Sequence, residues 1–595
     1  MQQSNRKKQP GSADPLLIFW TIVTAAVVMA LLVFLGGLHL GYWWADLDRS
    51  EIPRNPFRVI YELAQGQLTW PPAATVAASL IGAVLGLIVV LFMVDRIRAR
   101  RKRLPVDSVA RYMAHGRELK PFSEKQIRKK AEEWGVEAAS PGVPIGVSVV
   151  CNTKLYASYE DMVAVIAGPR MNKTTATVVP AICEAPGAVI TTSNKRDVVD
   201  GTRDLRQQVG KIWVFDPQQI AQEEPTWWWN PLSYVTDDVQ AAKLAEHFAA
   251  ASSSPDAKKD AYFDNAARDL LAALLLAAAE DNRPITDVYL WLTDDSDNAA
   301  VDILETAGWT LRAGQLDQVM HLPDKQRAGI YGSAQQMAAC LANSFITEWI
   351  TPRSTADPRP QFNPYDFVRS ATGTLYSLSK EGQGTAGPLV TALTVAVAEA
   401  AEEIASSSTD AAATGDGRLK TPLVCVLDEA ANVCRWSDLP DLYSHFGSRG
   451  IIIITLLQSW AQGVGTWGES GMKKLWSAAN AKIYGGNVAE DEFLNAVSNM
   501  IGTWDKETRS ISTGRGHRNI STQISRERIL EVSDLASLPR ERAVFIGAGV
   551  RPVLVKTIPW FQQRALAKRL NDAYAAGKVA QQDTTETVET VEVKG

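Results

Sequence analysis

The sequence predicts an α/β protein: a parallel sheet covered by helices, interrupted by an all-helical insertion and preceded by a two-helix membrane anchor. Three observations predict it. From about residue 140 onward, short runs rich in Val and Ile alternate with longer helical patterns, as strands and crossover helices of a parallel sheet do. Two long apolar runs free of charge precede that region. Between roughly Thr236 and Thr351 the strand-like runs stop, and Ala- and Leu-rich helical spacing replaces them, as in "YFDNAARDLLAALLLAAAEDN".

The 595 residues, 46% hydrophobic and 21% charged, are enough for several domains with sizeable cores. A net charge of −5 excludes a protein that coats nucleic acid over its whole surface and leaves room only for a local basic channel. The five cysteines, Cys151, Cys183, Cys340, Cys425 and Cys434, are odd in number and contain no C-x-x-C pair. They read as small hydrophobes in a reduced compartment rather than as a disulfide framework or a zinc site.

The anchor comes first. Leu16–Leu40 and Pro72–Val94 contain no Asp, Glu, Lys or Arg, and each exceeds the ~20 helical residues that a hydrocarbon core requires. The first is far longer than the apolar part of a cleaved signal peptide. Arg6, Lys7 and Lys8 precede the first run, and a basic cluster from Arg96 to Arg103 follows the second. The positive-inside rule therefore puts both termini and the soluble domains in the cytoplasm of a multi-pass cell-membrane protein, with a short outer loop between the spans. Tyr42, Trp43 and Trp44 are expected at the headgroup level. The basic cluster is assigned to lipid headgroups and to no catalysis.

Expected strands follow at Met162–Ala167, Ala188–Thr192, Ile212–Phe215, Leu423–Leu427, Ile451–Leu456, Lys482–Tyr484 and Ala543–Ile546. Ligands of open α/β sheets bind at the carboxyl ends of strands, so the polar residues there are the place to seek chemistry. Ile404–Lys420 is a small-residue linker. Lys506–Ile529 alternates apolar with hydroxyl and basic residues around Gly514-Arg515-Gly516, which predicts a hairpin. Arg515 and Arg518 at its tip are either phosphate contacts for DNA or part of a solvated surface. A polar disordered tail is expected at the end.

The strand ending at Ala167 feeds "GPRMNKTT", Gly168 to Thr175, which resembles a phosphate-binding loop but has Ala167 and Asn172 where the G-x-x-x-x-G-K-[ST] pattern has glycines. Gly168, Pro169, Arg170 and Asn172 would shape the cradle, Lys173 would reach the terminal phosphates of ATP, Thr174 would ligate Mg²⁺, and Thr175 would follow it. The competing reading is an ordinary strand-to-helix turn with a surface lysine. Asn tolerates a left-handed backbone best among non-glycine residues, so it is the least damaging replacement, and glycine at 172 is expected to relax the loop.

A second strand, "LVCVL", ends in Asp428 and Glu429. An aspartate there can hold the magnesium shell, and a neighbouring glutamate can deprotonate water. A helix start with acidic residues explains one carboxylate, not both. Two more strands lead to Gln458, suited to sensing the terminal phosphate or positioning water, and to Gly485 and Gly486, where backbone must approach closely. Arg449 precedes one of these strands and is either an arginine finger across a subunit boundary or a structural ion-pair partner.

In order, "AGPRMNKTT", "WWWNPL", "ARDLLAALLLAA", "TGTLYSLS", "VCVLDEA", "LLQS" and "KIYGGN", behind two spans, make the chain resemble the TraG/TraD-like coupling proteins of type IV secretion, the conjugative DNA transfer ATPases. The resemblance implies a RecA-like P-loop NTPase fold with an inserted all-α domain. It implies an anchor over 1–105, nucleotide-binding segments over 106–235 and 351–575 around an insertion over 236–350, and the tail over 576–595. Carried over residue by residue, the nucleotide lysine is Lys173, the hydroxyl Thr174, the acidic pair Asp428 and Glu429, and the glutamine Gln458. It implies a homo-hexameric ring that brings relaxase-bound single-stranded DNA to the components of the secretion channel. Two alternatives remain: an ATPase that exports protein alone, as in type VII secretion, and a weakly hydrolysing scaffold that receives substrate. The single phosphate loop weighs against the first.

Overall fold

The computed structural model describes residues 15–101, 104–137, 140–252, 261–382, 384–514 and 517–592. Two compact units emerge, Met1–Leu104 and Pro105–Gly595.

In the first unit, helices span Pro15–Trp44 and Pro72–Arg101, and within them Val23–Trp44 and Pro72–Leu91 are long and apolar enough to cross a membrane. Small residues bring the two helices together. A Cβ on Gly41 would stand 2.3 Å from Ala74 Cα, and one on Gly37 would stand 2.5 Å from Ala78 Cβ. This is the close approach that glycines four residues apart permit where no hydrophobic effect drives helix association. The connecting segment is more ordered than a plain outer loop. Asn55 caps a helix over Pro56–Ala64 by accepting from Phe57 N–H, and Leu38, Tyr42, Ile52, Val59 and Leu68 form a small core. Tyr42, expected among the interfacial aromatics, is buried and donates its hydroxyl to Thr69 O at 3.0 Å, whereas Trp43 and Trp44 are exposed. Tyr42 turns inward because the segment folds back over one face of the first helix. Arg6, Lys7 and Lys8 lie outside the described residues.

The second unit is built on a sheet. Its strands are β1 (Val143–Ser148), β2 (Lys154–Ala157), β3 (Val163–Ile166), β4 (Val189–Ser193), β5 (Ile212–Phe215), β6 (Thr374–Leu378), β7 (Leu423–Leu427), β8 (Ile451–Leu457) and β9 (Ala481–Tyr484). A separate hairpin pairs β10 (Thr503–Gly514) with β11 (His517–Arg528), and β12 (Arg542–Gly547) and β13 (Val553–Lys556) complete the set. The 11-stranded sheet runs β2-β1-β13-β12-β9-β3-β8-β7-β4-β6-β5. From β9 to β5 every pairing is parallel, and from β9 to β2 every pairing is antiparallel. Every residue of β3, β7 and β8 is buried, which explains why those strands read as continuous apolar runs. Strand β6 escapes that reading because Thr374 and Ser377 are buried inside it. Thr374 Oγ1 accepts from the buried Arg206 Nε at 2.7 Å.

Between β5 and β6 the described residues from Asp238 to Ile350 form a succession of helices with no strand among them. Two backbone bonds tie the stems of this excursion together, Trp229 N to Trp349 O at 2.8 Å and Phe362 N to Trp228 O at 2.7 Å. Trp227 packs edge-on to Trp349, and Asn230 caps the turn over Pro231–Tyr234. The "WWWNPL" stretch is thus a clasp that lets a helical insertion leave the sheet undisturbed.

The hairpin appears where the alternation predicts it, with Thr513 opposite Arg518; Arg515 lies outside the described residues. The chain end differs from expectation. A helix runs over Arg564–Glu592, where a disordered tail is expected from residue 576. Leu566, Leu570 and Ala573 anchor it against Val179, Cys183 and Leu205. Strong helix formers, among them the alanines and glutamines of "DAYAAGKVAQQ", carry it onward.

Candidate functional site

Parallel pairing of β3, β8 and β7 puts their carboxyl ends side by side. That edge collects Lys173 and Thr174 from the β3 exit, Gln458 from the β8 exit, and Asp428 and Glu429 from the β7 exit. The strand between β3 and β7 supplies the glutamine, so it stands between the lysine loop and the acidic pair.

The loop is shaped by close backbone contact. Gly485 N–H donates to Ile166 O, and Gly168 N–H to Gly486 O, both at 2.9 Å. A Cβ on Gly168 would lie 1.9 Å from Asn487 O, and one on Gly485 would lie 2.6 Å from Ala167 Cβ. The missing glycine at 167 is therefore offset by a glycine opposite: Ala167 fits because Gly485 has no side chain. Asn487 Nδ2 donates to Pro169 O at 3.1 Å and closes the cover.

Arg170 and Asn172 both have φ of 63°. The left-handed conformation anticipated for Asn172 is present. Its carbonyl accepts from Ala176 N–H at 2.8 Å and Thr175 Oγ1 at 3.4 Å, starting the helix. The helix opens as a π turn over Thr174–Val178 before Val179–Cys183, since Pro180 has no N–H to offer the Ala176 carbonyl. N–H groups of a first turn have no intrahelical acceptor and remain available to an anion. Lys173 folds over the loop, donating from Nζ to Ala167 O at 2.6 Å and Gly168 O at 3.4 Å. Burial lowers its pKa, while the negative charges of Glu429 and Asp428 pull the other way.

Asp428 is 5% exposed and Glu429 6%. Burial, reinforced by the charge of Glu429 and opposed by that of Lys173, pushes the Asp428 carboxyl up to about 7. Glu429 adopts φ 55°, a left-handed backbone rare for a side chain of its size. Gln458 Nε2 donates to both of its oxygens, each at 2.8 Å. Gln458 thus meets the adjacent carboxylate, not a solvent-facing position, and its own N–H is taken by Gln462 Oε1 at 2.8 Å. The oxygen donors Thr174 and Asp428 suit a magnesium ion, which needs only one or two carboxylates when phosphates and water complete its shell.

Arg449 does not join this group. It lies just ahead of β8, at the end opposite Gln458, with Nη1 donating to Gly417 O at 3.2 Å. The seven-residue strand between them spans roughly 23 Å. Three residues that sequence reading passes over do belong here. Lys195, at the β4 exit, is a positive charge felt by both Asp428 and Lys173; Asn487 covers the loop; and Arg540 contacts Asn172. Only Asn487 had a local signal, the end of "KIYGGN".

Gly168→Ala should destabilise the second unit by about 1–3 kcal/mol, the usual range for forced overpacking. Thermal unfolding against a Gly332→Ala control, where a Cβ meets nothing within 4 Å, measures it. Equal transitions in the two variants would show that the loop and its cover separate freely.

Comparisons with known proteins agree with the resemblance read from the motifs. A family model described as the TraM recognition site of TraD and TraG matches residues 422–540. The type IV secretion system-coupling protein VirD4 of Bartonella quintana (strain Toulouse) is 20% identical over 431 residues, covering 68% of this chain. The chain spans 63% of the length of that curated relative. Among solved structures, the bacterial conjugative coupling protein TrwBdeltaN70 in its unbound monoclinic form aligns with a TM-score of 0.52 at 14% identity, over 73% of this chain and 91% of that one. The plasmid coupling protein TrwB in complex with a non-hydrolysable ATP analogue aligns with a TM-score of 0.51 at 15% identity, over 73% and 92%. Its complex with ADP and Mg²⁺ gives 0.50 at 14%, over 73% and 92%. What these structures share with this chain is the fold.

Proposed function

We propose that this chain is a membrane-anchored ATPase that couples relaxase-bound single-stranded DNA to a type IV secretion channel and drives its transfer. One observation carries the reading: a single edge of the sheet assembles Lys173 and Thr174 with Asp428, Glu429 and Gln458. The similar coupling proteins solved with ADP and Mg²⁺ and with an ATP analogue support the choice of nucleotide. The two apolar helices support a place in the cell membrane, and the basic residues outside both runs favour cytoplasmic termini.

In this reading the first-turn N–H groups and Lys173 bind the phosphates, and Lys173 exchanges its bonds to Ala167 O and Gly168 O for phosphate oxygens. Thr174 and Asp428 would hold a magnesium ion, whose charge would offset that developing on the phosphates. Ionised Asp428 is costly beside Glu429, and that cost favours cation uptake. Glu429 takes the proton from the attacking water once Gln458 yields one of its two contacts, and Gln458 keeps the carboxylate oriented.

Lys173→Ala should lower ATP hydrolysis at least ~100-fold, as loss of a transition-state charge partner does, and abolish DNA transfer with folding intact. DNA-stimulated turnover of the two proteins measures this; equal turnover would reject the motor in favour of a scaffold. Glu429→Gln should keep ATP binding and lose turnover about 100-fold or more, the contribution of a general base. Turnover within twofold of wild type would make Glu429 structural.

Arg449 is too far to serve the site of its own subunit, so we assign it to the neighbouring site of a homo-hexameric ring. Mixing Arg449→Ala with Lys173→Ala subunits should recover turnover that neither has alone. Mixtures as inactive as their components would return Arg449 to a structural role.

A further inference from the structure

Asn172 stands where the phosphate-loop pattern has glycine, and its side chain is engaged. Its Oδ1 accepts from Arg540 Nε, and its Nδ2 donates to Arg540 O at 3.4 Å. The two residues are 368 positions apart, so the fold alone joins them. Glycine could make neither bond.

The segment bearing Arg540 is fixed on several sides. Leu538 packs against the Gly486 turn that covers the loop, where an added Cβ would lie 2.9 Å from Leu538 Cβ. Two residues beyond Arg540, Arg542 makes an ion pair with Asp107 at 2.6 Å, both side chains about 5% exposed or less. Thr557 Oγ1 donates to Arg540 O at 3.2 Å. Arg540 itself is exposed, and its described side-chain bond, beside the loop that carries Lys173, is made through Nε alone. A guanidinium held by Nε presents its other donors as a planar fork suited to a phosphate oxyanion.

We propose that Arg540 is a second cationic contact to the nucleotide phosphates, supplied by the same subunit, and that Asn172 is its positioning residue. The assignment rests on the nucleotide reading of the site. It also inverts what the sequence leads one to expect of residue 172. Glycine would relax the φ of 63°, yet it would release the arginine.

The test measures the Kd of a non-hydrolysable ATP analogue with magnesium on the full chain in detergent. Arg540→Ala should raise Kd about tenfold, the weight of one charge-assisted hydrogen bond. Arg540→Lys should recover little of it, because lysine keeps the charge but has neither the Nε–H nor the fork. Asn172→Gly should raise Kd severalfold in the wild-type background and leave it unchanged when Arg540 is already alanine. A purely structural Asn172 would weaken binding equally in both backgrounds, which would overturn its positioning role. Binding by Arg540→Ala equal to wild type, with Lys173→Ala defective, would overturn the assignment of Arg540 alone. Unaltered binding in Lys173→Ala as well would overturn the nucleotide reading and this inference with it.

Discussion

Much of the site depends on one backbone contact, the bond from Gly168 N–H to the Gly486 carbonyl. It presses the loop after β3 against the turn after β9 so closely that no side chain fits at 168 or 485. With the loop held there, its chain must leave through two left-handed residues, Arg170 and Asn172, before it can turn into the helix. That exit places Lys173 over the loop, where its ammonium feels the carboxylates at the end of β7. A looser contact would leave the same residues in the same order without their mutual geometry. The motif's glycines are therefore redistributed rather than lost: the one absent at 167 reappears at 485, just past β9 and more than three hundred residues away in sequence.

The charges at this edge are arranged so that each is tolerable only because of its neighbours. Lys173 and Asp428 are both withdrawn from water, and burial pushes each toward its neutral form while the opposite charge nearby pulls the other way. Glu429 receives both contacts from the Gln458 amide, a donor without charge, so it is oriented without being neutralised. The Asp428 carboxylate receives no donor among the described bonds, and burial, reinforced by the charge of Glu429, pushes it up to about 7. In the proposed function, a divalent cation bound with a nucleotide would supply what the Asp428 carboxylate lacks.

The legibility of all this in the sequence follows from the range of the interactions. Strands β3, β7 and β8 are buried on both faces and read as apolar runs, and the residues at their ends were found because strand ends are local features. Asn172 was placed correctly in a left-handed backbone because that preference belongs to the residue type. β6 was not legible as a strand, since Thr374 and Ser377 are polar residues buried within it, and Thr374 finds its partner, Arg206, on another element. Tyr42 read as an interfacial aromatic, and only the folding back of residues 52–69 turns it inward. Arg540 was beyond reach for the same reason: nothing near it marks a site, and the contact that gives it meaning is made by tertiary structure alone. Arg449 shows the converse, a residue prominent in sequence that the fold carries to the wrong end of β8 for its own subunit.

The same edge explains where the helical insertion departs. β5, β6 and β4 are neighbours in the sheet, and their exits are joined by side chains that reach across the gaps. Gln218, after β5, accepts through Oε1 from Ser379 Oγ and Lys380 N–H, after β6, at 3.0 and 2.9 Å. Glu381 in turn accepts from Asn194 Nδ2, after β4, at 2.7 Å. Next to Asn194 stands Lys195, whose charge bears on Asp428. The chain then runs from Gln218 through the tryptophan clasp into the helices. Hydrogen bonds thus link the exits of β5, β6 and β4 between the acidic pair and the root of the insertion, and they lie on the carboxyl side of the sheet, where the polar ends of parallel strands gather. An insertion rooted at the other edge would be separated from the proposed nucleotide site by the full length of the buried strands.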